Sequence, residues 1–159
     1  MRPWFAISLA AVTLAACETP TVYGPVARPG ASGYVESKIQ SDRYRVTFRG
    51  GSDANRNRVA DLTMLRAAQI TLDAGYDWFR VTDRYGEVHP PRGPVLSLGG
   101  GTASYGRHSA VGFGADVGGI PLGGGPIISE TVEIQLGKGP VPKEPDVYDA
   151  QSVRSAIRP

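Results

Sequence analysis

Residues 43–84 read RYRVTFRGGSDANRNRVADLTMLRAAQITLDAGYDWFRVTDR, and the periodicity of this stretch decides the fold. In 43–49 the alternation is strict: Tyr44, Val46 and Phe48 face one way, and Arg43, Arg45, Thr47 and Arg49 the other, as in a half-buried strand. Gly50 and Gly51 interrupt it. Ser52 or Asp53 is placed to cap a helix, and 55–74 contains neither Pro nor Gly. Leu62, Leu65, Ala68 and Leu72 recur at helical spacing, with Val59 and Ile70 at the margins, and Gly75 suits a C-terminal cap. Residues 77–84 resume the period of two, setting Phe79 and Val81 against Trp78, Arg80, Thr82 and Arg84. Strand, helix, strand at this spacing predicts a crossover unit with parallel strands and a right-handed connection.

Working outward, a third strand is expected near 130–136, where Val132, Ile134 and Leu136 alternate with Glu133 and Gln135 and Glu133 can face an arginine. Thirteen of the forty residues in 86–125 are glycine, so this insert is expected to be loosely ordered, with 94–98 and 110–113 as short strands of a hairpin or an edge. A Pro-rich spacer follows at 138–145, then 147–157, a short helix or strand through Val147, Ala150, Val153 and Ile157. The expected fold is α+β: a small two-layer domain over 34–137, one amphipathic helix on a three- to five-stranded sheet, with a C-terminal extension over 138–159. Tyr44, Phe48, Phe79 and Trp78 are expected to supply the core's bulk, and Arg66 to point outward or pair with an acid.

The start of the chain has a different character. Arg2 precedes an uncharged run, 4–16, rich in Ala and Leu and ending in small residues, which is the layout of a secretory signal peptide. Its thirteen residues rise only about 20 Å as a helix. A bilayer's hydrocarbon core is about 30 Å thick, so the run is short for a membrane span. Leu14-Ala15-Ala16-Cys17 resembles the lipobox of bacterial lipoprotein precursors. That resemblance implies a diacylglyceryl group on the Cys17 thiol, cleavage before it and N-acylation (palmitate among the acyl chains) of the new terminus. Cys17 is the only cysteine, which excludes an intramolecular disulfide or a thiolate zinc cluster. Two or three acyl chains anchor stably where one binds reversibly. Glu18 stands where lipoproteins kept in the enteric inner membrane commonly carry Asp, so the resemblance implies the outer membrane, facing the periplasm. Residues 17–33, with three prolines and three glycines, read as the lipidated terminus and a tether; the alternative is a short recognition strand contacting through Tyr23, Val26 and Tyr34.

The chain has 159 residues, 41% apolar and 20% charged, with a formal charge of +2. Acidic and basic residues are interspersed, which gives no reason to expect nucleic acid as a partner. The glycine runs Gly99-Gly100-Gly101 and Gly112-Phe113-Gly114 do not continue as a dinucleotide fingerprint, and Gly137-Lys138 is followed by glycine, not by Ser or Thr. His89 and His108, the only histidines, stand among turn formers without a metal-ligand spacing or a nucleophile elbow. Asp77, Asp83 and Glu87 read as turn and strand-end residues, not as a catalytic pair. The most suggestive feature is the polar strand face carrying Arg43, Arg45, Arg49, Arg80 and Arg84, able to meet anionic headgroups or an acidic partner. The bland reading is a solvated face knitted by Glu36, Asp83, Glu133 and Asp61.

Residues 30–34 (GASGY), 43–50 (RYRVTFRG), 65–68 (LRAA) and 75–79 (GYDWF), with an echo in Tyr148-Asp149-Ala150, together resemble an uncharacterised family of proteobacterial lipoproteins. The resemblance implies a lipid-anchored periplasmic domain and no known reaction. The expected function is therefore a non-catalytic structural or interaction protein without cofactor or metal, held to membrane lipid through Cys17 and meeting an envelope protein or anionic lipid. The alternative is a periplasmic small-ligand binding module with the Gly-rich segment as a lid. An envelope hydrolase using His89 or His108 ranks third.

Overall fold

The computed structural model describes residues 19–90 and 125–159, and between them the backbone of four short paired strands. The signal segment and Cys17 lie outside the described residues. Among the described residues, nine strands and two helices follow in the order β1 (Gly33–Gln40), β2 (Arg43–Arg49), α1 (Arg56–Asp73), β3 (Trp78–His89), β4 (Val95–Leu96), β5 (Thr102–Tyr105), β6 (His108–Val111), β7 (Ile120–Pro121), β8 (Ile127–Gly137), β9 (Val147–Asp149) and α2 (Ala150–Ala156). The main sheet runs β1-β2-β8-β3-β9 and is antiparallel throughout. This is the expected α+β class.

The strand-helix-strand unit is present but split. β2 and β3 both run antiparallel to β8, so they point the same way, yet β8 lies between them. The crossover expectation thus held for direction and failed for adjacency. β8 fits the gap because both its faces suit burial: Val132 and Ile134 are fully buried on the helix side, and Thr131 is 6% exposed on the other. β1 is a strand that periodicity did not reveal. Its helix-facing positions are Tyr34, Glu36 and Lys38, so little apolar alternation marks it.

α1 starts at Asn55, whose side chain accepts the Arg58 amide, and ends with Gly75 at φ +74. There the Gly75 amide donates to Leu72 and the Tyr76 amide to Thr71, a Schellman pair that satisfies two terminal carbonyls. Val59, Leu62 and Leu65 pack with Phe48; Met64, Ala67, Ala68 and Ile70 pack with Val46, Phe79 and Ile134. Thr63 and Thr71 are fully buried among them, each hydroxyl donating to the carbonyl four residues back. Phe48 and Phe79 have no exposed surface, and burying each such side chain is worth roughly 1.5–3 kcal/mol. Trp78, expected in the core, instead lies on the opposite sheet face over Gly137, where a methyl group would overlap its ring.

The short segments do not pair with each other as expected. β4 pairs with β7 and β5 with β6. β4 and β7 continue the β3–β8 frame, from His89↔Ile127 to Val95↔Pro121, one step forward matching one step back. The terminal segment 147–157 makes both a strand and a helix. Asp149 caps α2 by accepting the Ser152 amide, and Ala150 is fully buried against the core.

Candidate interaction surface

Both helices cover one face of the sheet, and three of the residues read as an arginine face, Arg43, Arg45 and Arg49, lie on the other, alternating with buried Val46 and Phe48. Arg80 joins them, since both it and Arg43 pair in register with Gln135. Arg84 does not. β3 carries a bulge between Val81 and Asp83, so Thr82 is an extra residue and the side-chain parity inverts beyond it. Arg84 therefore stands opposite Val132 on the helix side, with its Nε 3.3 Å from a Glu130 carboxylate oxygen. That oxygen makes a charge contact without hydrogen-bond geometry. Burial raises the Glu130 carboxyl above its ordinary range, and Arg84 and Arg56 pull it back only in part.

Of the four arginines that do share the open face, Arg43, Arg45 and Arg80 are paired with acids. Arg45 donates from Nε and Nη2 to one oxygen of Glu133 at 3.0 and 2.6 Å, and Arg43 Nη2 lies 3.7 Å from the other. Hydrogen bonding to Glu133 and its charge raise the Arg45 guanidinium above its usual value. Arg80 pairs with Glu144 at 2.7 Å. The Nε groups of Arg43 and Arg49 are buried and, among the described residues, have no hydrogen-bond partner. Of the acids expected to knit this face, Glu133 does so. Glu36 instead holds Arg66 of α1 at 2.7 Å, and Asp83 accepts its neighbour's amide. Around Glu133 and Glu144 the surface is therefore charge-compensated, with Arg49 outside that lattice among the described residues.

His89 sits on β3 with Glu87 at 3.4 Å and the Ser129 hydroxyl at 3.5 Å, both approaching its Nε2. A relay needs the nucleophile and the orienting carboxylate on different ring nitrogens of the histidine, so this trio lacks the geometry of a hydrolase triad. Only the backbone of His108, in β6, is described. Asp77 accepts the Gly139 amide at 2.7 Å, which makes it a turn residue. Among the described residues, no group of three or more His, Cys, Asp or Glu is placed to hold a metal, and no helix is long and apolar enough to cross a membrane.

The clearest correction concerns 17–33. From Thr19 onward the supposed tether is a strap bound to the domain. Ser52 and Asp53 hold it there, and neither caps α1. The Thr19 amide donates to the Ser52 hydroxyl at 3.0 Å, the Ser52 amide to the Thr19 carbonyl at 2.9 Å, and the Thr21 amide to Asp53 at 2.8 Å. Tyr23 packs beside Tyr34 and Phe48, and its hydroxyl donates to Gln69 at 2.8 Å. Burial pushes the Tyr23 phenol up to about 12 against the opposing charge of Arg66. Pro25 bridges Tyr34 in parallel, so the recognition-strand alternative describes the contact better, with the chain's own β1 as its partner. The strap also lines an open, largely apolar cleft of about 320 Å³ formed by Pro20, Val22, Pro25, Ala27, Arg28 and Ala31 among others. No periodicity marks these residues; Tyr23, a lone aromatic in a Pro/Gly run, was the available signal.

No family model, curated protein or solved structure matches the chain.

Proposed function

We propose that the protein is a lipid-anchored component of the cell envelope, held through Cys17 at the periplasmic side of the outer membrane and acting by interaction, not catalysis. The carrying observation is the sequence Leu14-Ala15-Ala16-Cys17 at the end of an uncharged run of export-signal character. The docked strap supports a particular version of this reading. Thr19 is already bonded to Ser52, so only Glu18 separates the anchor from the folded body. The domain then rides against the headgroups and does not search on a leash, which brings the Arg28 rim of the strap cleft near anionic lipid. The test is incorporation of labelled palmitate with membrane fractionation. Label and membrane association are expected in the wild-type chain and lost in Cys17→Ala; equal labelling of both would refute the anchor.

A second reading has one specific observation in its favour. The strap cleft, at about 320 Å³, reaches the lower range of small-molecule sites. A periplasmic binding module would use this cleft; the lid role expected of 86–125 falls on residues outside those described. Thermal stabilisation by a soluble metabolite, abolished by Ala31→Trp, would favour it.

A further inference from the structure

β1 ends the sheet, and its outer edge is open beyond its first residues. The Tyr34 amide donates to the Gly24 carbonyl at 2.8 Å and its carbonyl accepts the Val26 amide at 3.0 Å, so both backbone groups of Tyr34 turn away from β2. Strand alternation carries that orientation to Glu36 and Lys38. Among the described residues nothing pairs with those outward groups, and such an edge is a template for another strand.

We propose that two copies of the chain associate through the free edges of β1, antiparallel about a two-fold axis at Ser37. In that register Glu36 stands opposite the partner's Lys38, and Lys38 opposite the partner's Glu36, with their outward amides and carbonyls exchanging hydrogen bonds. Val35 and Ile39, 52% and 42% exposed, meet across the axis on the other face. Neighbouring registers that keep the same backbone groups paired are disfavoured: centring on Glu36 or on Lys38 sets like charges against each other. The strap already uses the outward groups of Tyr34, and the irregularity after Lys38 closes the other end, so the window is 35–39. Glu36 remains reachable although Arg66 holds it, since its side chain is 39% exposed. The pairing does not rest on the anchor, although confinement to a membrane would raise the effective concentration of edges.

Ser37 would face the partner's Ser37 at a non-hydrogen-bonded position, with Cα atoms about 4.5 Å apart, within reach of a disulfide. The test uses the purified full-length chain under a mild thiol oxidant, with dimer on non-reducing gels scored above the wild-type lane and Ser152→Cys on α2 as the exposed control. Ser37→Cys is expected to give a dimer that the control does not. Adding Lys38→Glu, which leaves the Arg66–Glu36 pair intact, is expected to lower its yield about tenfold. A Ser37→Cys chain no more dimeric than the control overturns the proposal, as does a dimer indifferent to Lys38→Glu.

Discussion

Tyr23 concentrates much of what holds the strap. Its phenol is kept neutral by burial, with the folded value raised from the ordinary 10.0 to about 12. A raised value means the contribution is fully present below pH 10 and is lost as pH rises toward 12. Urea unfolding followed from pH 9 upward is therefore expected to show an alkaline loss of stability that is reduced in Tyr23→Phe. At neutral pH that substitution removes the bond to Gln69 and is expected to cost about 0.5–1.5 kcal/mol. Gly137→Ala tests the other face: the added methyl overlaps the Trp78 ring, so a loss of about 1–3 kcal/mol with a shift in tryptophan emission is expected. The buried positions of Leu62, Leu65 and Ala68 were legible from spacing alone. Thr63 and Thr71 were not, because their hydroxyls satisfy themselves on the preceding turn and so behave as core residues despite their polarity.

Among the elements, hydrophobic period located β2, α1, the start of β3 and β8, because each has one face against the core. It could not locate the bulge at Thr82. A bulge is a relation between two strands, and the residues of β3 alone continue their alternation through it. That single extra residue moved Arg84 to the helix side and divided the arginine set. The cap of α1 was misplaced by a similar blindness: Ser52, Asp53 and Asn55 all suit the role, and the strap claims the first two. Asn55→Ala is accordingly expected to destabilise α1 by about 1 kcal/mol, whereas Ser52→Ala is expected to leave helix content intact and expose 19–33 to protease. At α2, hydrogen bonds from Ser152 hold the Asp149 carboxyl below its ordinary 3.8. A depressed value contributes above pH 3.8 and fades as pH falls through the folded value, so loss of α2 helicity in acid is expected to be blunted in Asp149→Asn.

For the whole molecule, the fold class was legible and the relation of the N-terminal segment to the domain was not. Composition alone marks 18–33 as too poor in apolar residues to order itself, yet the domain supplies what the segment lacks: Phe48 and Tyr34 for Tyr23, and Ser52 and Asp53 for the backbone. Gly51 makes the approach feasible, since a side chain there would overlap the strap backbone at Thr19 to Thr21. Gly51→Ala should then release the strap, seen as new cleavage within 19–33 under limited proteolysis while the core remains resistant. The anchored role itself turns on the terminus. Intact mass spectrometry of the protein extracted from the envelope is expected to find a chain beginning at Cys17 with the added mass of a diacylglyceryl group and an amide-linked acyl chain; a chain that begins elsewhere, or a Cys17 of unmodified mass, would contradict it.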